Sequence, residues 1–182
     1  MREPVNRIIK YYHYKTSQGF YVGEFEKFVT KTSNEQTRMI CGYPDAAKAI
    51  EIIKQLDIFV GITEKFDESM ILLKELVCKE LKLIKLRKNV SRVNSYAKRI
   101  FQDKSNIRLI KELNLEDIEL YNYVKKNIFP GYLKCIKHKI SKDLDVLNIK
   151  NNGFTRNILL SRFYRNVVYK PLRLFIINTK KY

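Results

Sequence analysis

Helix breakers are scarce in this chain. Six glycines and four prolines are spread over 182 residues. Most of the backbone therefore has little to stop a helix once one has formed. Apolar residues make up 45% of the sequence, enough for an ordinary buried core. Pro4 stands where a helix tolerates proline, in the first turn, because its missing N–H would be unpaired there anyway. Val5, Ile8, Ile9 and Tyr12 follow at helical spacing. They predict a helix over 4–14, ended by Ser17-Gln18-Gly19, with a loop carrying Phe20, Tyr21, Phe25 and Phe28 after it.

Further signals extend the pattern. Ser33 and Gln36 have capping-box spacing and open a short helix carrying Arg38. Tyr43-Pro44-Asp45 opens another, with Ala46, Ala49, Ile50 and Ile53 on one face. The apolar run from Ile58 to Ile62 reads as a short buried strand. Thr63 then caps a helix whose buried stripe is Phe66, Met70, Leu73 and Val77. Glu64, Asp67 and Glu68 fall in its first turn, where the helix dipole favours negative charge. That explains the acidic cluster without a catalytic pair. Asn114 caps a later helix with Asp117 as the reciprocal residue, Leu113 staples onto Ile118, and Ile118, Tyr121, Val124 and Ile128 form its stripe. Pro130-Gly131 ends it and marks a boundary between residues 1–130 and 131–182.

The formal charge is +17, which calls for an acidic partner or an anionic surface. Residues 131–182 hold twelve Lys/Arg and two Asp/Glu, a net of +10. They read as a basic helical extension, with a helix from Lys134 to Leu147 and an amphipathic one through Arg156, Leu159, Leu160, Phe163 and Val167. Such a helix packs on its own protein, lies on a membrane surface or holds an anionic polymer. Cys41, Cys78 and Cys135 lack metal-type spacing, and Cys135 with His138 is half a zinc site, so no metal is expected. No apolar run is long enough for a transmembrane helix. Localisation is left open.

Arg2, just before Pro4, sits beside a helix N-terminus, a position that favours an anion. Arg7 and Lys10 leave the same first turns. A phosphate suits this corner. A plain surface helix with basic residues fits the same letters. Arg2-Glu3-Pro4 followed by Arg7 resembles the 3′-phosphate-binding segment of PAPS-dependent carbohydrate sulfotransferases of the heparan and chondroitin type. Three more stretches resemble that family, in its order: Asn34 to Met39 (N-x-Q-T-R-M), Phe59 to Ser69 (F-x-G-I-T-E-x-F-D-E-S) and Asn114 to Tyr123 (N-x-x-D-x-x-L-Y-x-Y). The likeness covers residues 1 to about 130. Lys10 stands where the family has a serine.

The resemblance implies an α/β chain with an incomplete P-loop-like sulfotransferase fold. This piece of it would be mostly helical, with the short strand near 58–62. It implies transfer of a sulfonate from PAPS to a carbohydrate hydroxyl. Arg2, Arg7 and Lys10, with Arg87 and Lys88 from a basic segment that closes over the nucleotide, would hold the cofactor. Arg38 would meet an acidic glycan acceptor. No catalytic residue is assigned. The family's 5′-phosphosulfate loop and its usual His or Glu base lie upstream of Arg-Glu-Pro. The resemblance therefore implies a partial form, with a separate chain as a source of the missing half. Relatives are often membrane-anchored in the Golgi. The competing reading is a non-catalytic basic module that binds an anionic glycan or nucleic acid by charge. No nucleic-acid-binding motif supports the nucleic-acid version.

Overall fold

The computed structural model describes residues 1–21, 23–81, 100 and 103–136. Among them every regular element is helical and none is a strand. In chain order these are α1 (Pro4–Ser17), α2 (Phe25–Lys31), α3 (Glu35–Cys41), α4 (Ala46–Gln55), a 3-10 turn (Thr63–Lys65), α5 (Phe66–Leu76), α6 (Lys104–Leu113), α7 (Leu115–Tyr123), a π-helical stretch (Val124–Ile128) and α8 (Phe129–Cys135). The expected α/β class, and with it the incomplete P-loop-like fold, is corrected to an all-helical arrangement of the described residues.

Residues 58–62 lie outside any helix, and Ile62 is extended at φ −108° and ψ 126°. A strand, however, exists only through its ladder. Among the described residues, the sole backbone partner on this segment that comes from outside the adjoining turns is Met1. An apolar run bounded by turns carries no information about whether a neighbour is present, and that is why the sequence pattern misled.

Two apolar cores hold the helices. Val5, Ile8, Ile9 and Tyr12 of α1 pack with Phe28 and Val29 of α2 and Ile110 of α6. The Tyr12 ring meets Phe25 at 5.0 Å and Phe28 at 5.1 Å, both edge-on. These aromatics were expected in a loop. Instead their burial against α1 carries the short helix α2, which has too few residues to be stable alone. The second core joins Ala46, Ala49 and Ile53 of α4, Val60 and Ile62, Leu72 of α5, Leu120 and Tyr121 of α7, Val124 and Phe129. Each fully buried leucine or isoleucine contributes about 1.5–3 kcal/mol.

Two other expectations fail on packing grounds. The buried side of α5 is Ser69, Ile71 and Leu72, whereas Phe66 is 54% and Val77 60% exposed. The close approach of α5 to the 60–62 segment rotates its stripe: a Cβ on Gly61 would lie 3.0 Å from the Ser69 Cβ. Nor does Pro130-Gly131 end a helix. The π-helical turns before it, with the Phe129 N–H bonded to the Val124 carbonyl, widen the backbone. This makes room for a proline ring that would clash with an α-helical carbonyl. The chain then continues helically to Cys135. Of the basic segment at 79–112, residues 82–99 with Arg87 and Lys88 lie outside the described residues; so do residues 137–182, which carry His138, all of the second expected helix and all but the start of the first, whose Lys134 and Cys135 belong to α8.

Candidate functional site

The four stretches that carry the resemblance are far apart in sequence and adjacent in space. Asp117 on α7 ties two of them. It is fully buried. Its carboxylate accepts from the Gln36 N–H at 3.1 Å, the Thr37 N–H at 2.7 Å and the Thr37 hydroxyl at 2.8 Å. These are the orphan donors at the start of α3, so α3 is capped by a residue of another helix. The predicted capping box is absent: Ser33 Oγ donates back to the Thr30 carbonyl, and Gln36 turns elsewhere. Asn34, at φ +48°, does not cap α3 with its side chain either. Its N–H donates to Asn114 Oδ1 at 2.9 Å, and its Oδ1 accepts from the Asp117 N–H at 3.1 Å. Asn114 and Asp117 thus serve α3 rather than one another. Glu116 does the same for α4, accepting from the Ala46 N–H at 2.7 Å, beside Asp45, which accepts from the Lys48 N–H.

Gln36 brings in the first stretch. Its amide oxygen accepts from the Arg2 N–H at 2.8 Å, and its nitrogen donates to the Arg2 carbonyl at 2.9 Å. Glu64 brings in the second. Its carboxylate accepts from the Glu3 N–H at 3.0 Å and from the Tyr121 hydroxyl at 3.3 Å. Burial, the Glu64 charge and that hydrogen bond push the Tyr121 hydroxyl up to about 12. Thr63 is no cap: its hydroxyl donates to the Met1 carbonyl at 2.9 Å. Glu68 pairs with Lys65 at 3.3 Å. Glu64 and Glu68 therefore have separate partners, in keeping with a structural role for the acidic cluster.

The cationic residues are arranged unequally. Glu3 itself caps α1, its carboxylate accepting from the Val5 N–H at 3.1 Å and the Asn6 N–H at 2.7 Å. The helix N-terminus expected to attract an external anion is thus filled by the chain's own carboxylate. Arg2 is held by its backbone, and its guanidinium enters no ion pair among the described residues. Arg7 is only 16% exposed and pairs with Glu35. Its other terminal nitrogen, Nη1, is buried without a hydrogen-bond partner. Burial lowers the Arg7 pKa, and the nearby Asp117 charge works against that shift. Lys10 is exposed, about 10 Å along the α1 axis from Glu3. Arg38 is exposed on α3 and donates no ion pair among the described residues.

The structure therefore gathers Arg2 and Arg7, leaves Lys10 and Arg38 on the surface, and adds residues that sequence reasoning gave other roles or none: Glu3, Glu35, Gln36, Glu64 and Asp117. No letter pattern announces a cap supplied by another helix. Among the described residues no three His, Cys, Asp or Glu side chains could share a metal ion, and no helix is long and apolar enough to cross a membrane. No protein-family model, curated protein or solved structure matches the chain.

Proposed function

We propose that this chain is a nucleotide-holding part of a carbohydrate sulfotransferase, with the 3′-phosphate end of PAPS bound at Arg2. The observation that carries this reading is the meeting of four separate resembling stretches in one hydrogen-bonded unit around Asp117 and Glu64. Arg2 supplies a guanidinium with no ion pair among the described residues, able to hold a phosphate bidentately. The buried, partnerless Nη1 of Arg7 adds positive potential behind it. Lys10 offers a point charge on the same helix. Arg38 and the exposed basic surface face an acidic glycan acceptor. In the transfer these cations stabilise charge developing on the departing bisphosphate nucleotide. No residue is assigned as the base.

Isothermal calorimetry with adenosine 3′,5′-bisphosphate tests the site. Arg2→Ala should weaken binding by about tenfold or more, the effect of losing one charge-assisted phosphate contact. Binding equal to wild type would reject the site. Salt-sensitive heparin binding with no response to the nucleotide would favour the basic-module reading, which rests on the +10 excess in residues 131–182.

A further inference from the structure

Arg2 precedes the first turn of α1, so neither its N–H nor its carbonyl is paired within a helix. One side chain takes both. Gln36 Oε1 accepts from the Arg2 N–H at 2.8 Å, and Gln36 Nε2 donates to the Arg2 carbonyl at 2.9 Å. A side-chain amide sets a carbonyl acceptor and an NH2 donor side by side, the complement of one residue's main chain. Glutamate would offer no donor, and asparagine stops one carbon short.

Gln36 is itself held from behind. Its N–H donates to Asp117 Oδ2 at 3.1 Å, and the adjacent Thr37 donates twice to Asp117 Oδ1. Asp117 and Thr37 are fully buried. On the other side of Gln36, Glu35 pairs with Arg7. Three consecutive residues of α3 therefore reach three targets: the Arg7 guanidinium, the Arg2 main chain and the buried carboxylate of α7. One peptide beyond Arg2, the Glu3 N–H donates to Glu64 at 3.0 Å.

The Arg2 guanidinium, by contrast, has no ion pair among the described residues. Its long stem has many rotamers, so its reach is limited chiefly by where its backbone is fixed. A binding group has to be held within about 0.5 Å of its productive place, by neighbours that are themselves locked.

We propose that Gln36 is the positioning residue of the phosphate corner: it sets the Arg2 guanidinium by clamping the Arg2 main chain, and does not itself hold the nucleotide. This rests on the reading of Arg2 as the 3′-phosphate contact. Both polar atoms of the Gln36 amide are already engaged by Arg2, which leaves its role with the backbone rather than with a ligand. The buried Asp117 carboxylate thereby acts on the corner through α3, although it lies on another helix.

Calorimetry on the full chain, with adenosine 3′,5′-bisphosphate and adenosine 5′-monophosphate, tests the clamp. Gln36→Met keeps the length of the side chain and removes both hydrogen bonds. Gln36→Asn keeps the amide and withdraws it. In each variant the preference for the bisphosphate should fall from about tenfold to about twofold, with monophosphate affinity unchanged. Ile53→Val, in the other core, loosens packing elsewhere and should keep the preference. In an Arg2→Ala background, Gln36→Met should change bisphosphate affinity by less than about twofold, because the clamp acts only through Arg2. A preference that depends on Arg2 but survives both Gln36 variants would overturn the clamp alone. An equal loss from Gln36→Met with and without Arg2 would reduce Gln36 to general support of the fold and overturn it too. No preference in the wild-type chain would overturn the phosphate site and the clamp together.

Discussion

Asp117 offers the sharpest test of how the unit is built. Asp117→Ala removes a fully buried carboxylate and strands three donors: the Gln36 N–H, the Thr37 N–H and the Thr37 hydroxyl. It also removes a negative charge that opposes the burial penalty on Arg7. A buried donor without a partner costs about 1–3 kcal/mol. The three share one cavity that water can enter, so the losses are not additive. The expected cost is about 3–5 kcal/mol, that of breaking a buried charged contact on one side. Asp117→Asn can keep the oxygen that serves Thr37 but turns an NH2 toward the Gln36 N–H, and should cost about 1.5–3 kcal/mol. Thr37→Val removes one hydroxyl bond and should cost about 0.5–1.5 kcal/mol. Urea unfolding followed by circular dichroism gives the three values, provided the slope with urea is unchanged. The order Thr37→Val, Asp117→Asn, Asp117→Ala is the expected one. Asp117→Ala costing no more than Thr37→Val would refute the role of the carboxylate as the pin between α7 and α3.

Three further outcomes follow from the same contacts. Glu35→Gln removes the negative charge paired with Arg7, so calorimetric affinity for adenosine 3′,5′-bisphosphate should rise; a fall would mean that Glu35 orders the site rather than competing for it. Tyr121 has a hydroxyl raised in the folded state to about 12, so its contribution is complete below about pH 10 and is lost as pH climbs toward 12. Tyr121→Phe should flatten that alkaline loss, and parallel losses in the two proteins would count against a buried hydroxyl. Burial lowers the Met1 amine pKa, outweighing the raising effect of Glu64. The cation is disfavoured in the folded state, so stability should increase with pH from that lowered value up to about 8. Acetylating the amine should abolish this rise in a melting series, and persistence of the rise would place its source elsewhere.

Helices α1 and α4 were legible because their signals are local, whereas α2 was expected as a loop because its packing on α1 is tertiary, and α3 was expected from a capping box that the structure lacks. Pro4, the spacing of Val5 to Tyr12 and the Tyr43-Pro44-Asp45 opening each act within one or two turns. The extended segment at 58–62 was legible as non-helical but not as unpaired, since a ladder depends on a neighbour that the local letters do not specify. The caps were misassigned for a related reason. Asp117 has the right spacing to serve its own helix from Asn114, yet it is spent on α3 across the core, where two backbone donors and a hydroxyl converge. The cationic corner was half legible. Arg2, Arg7 and Lys10 are ordinary helical neighbours by count, whereas the pairing of Arg7 with Glu35 and the capping of α1 by Glu3 depend on tertiary placement.

The central claim is that Arg2 reads a 3′-phosphate. The measurement that tests it most directly is a calorimetric cycle of two ligands against two proteins: adenosine 3′,5′-bisphosphate and adenosine 5′-monophosphate, with the wild-type chain and Arg2→Ala. The two nucleotides differ only in the 3′-phosphate. The wild-type chain should prefer the bisphosphate by about tenfold or more, and Arg2→Ala should erase most of that preference while leaving the monophosphate affinity unchanged. Equal affinity of the wild-type chain for both nucleotides, or a preference that survives Arg2→Ala, would contradict it.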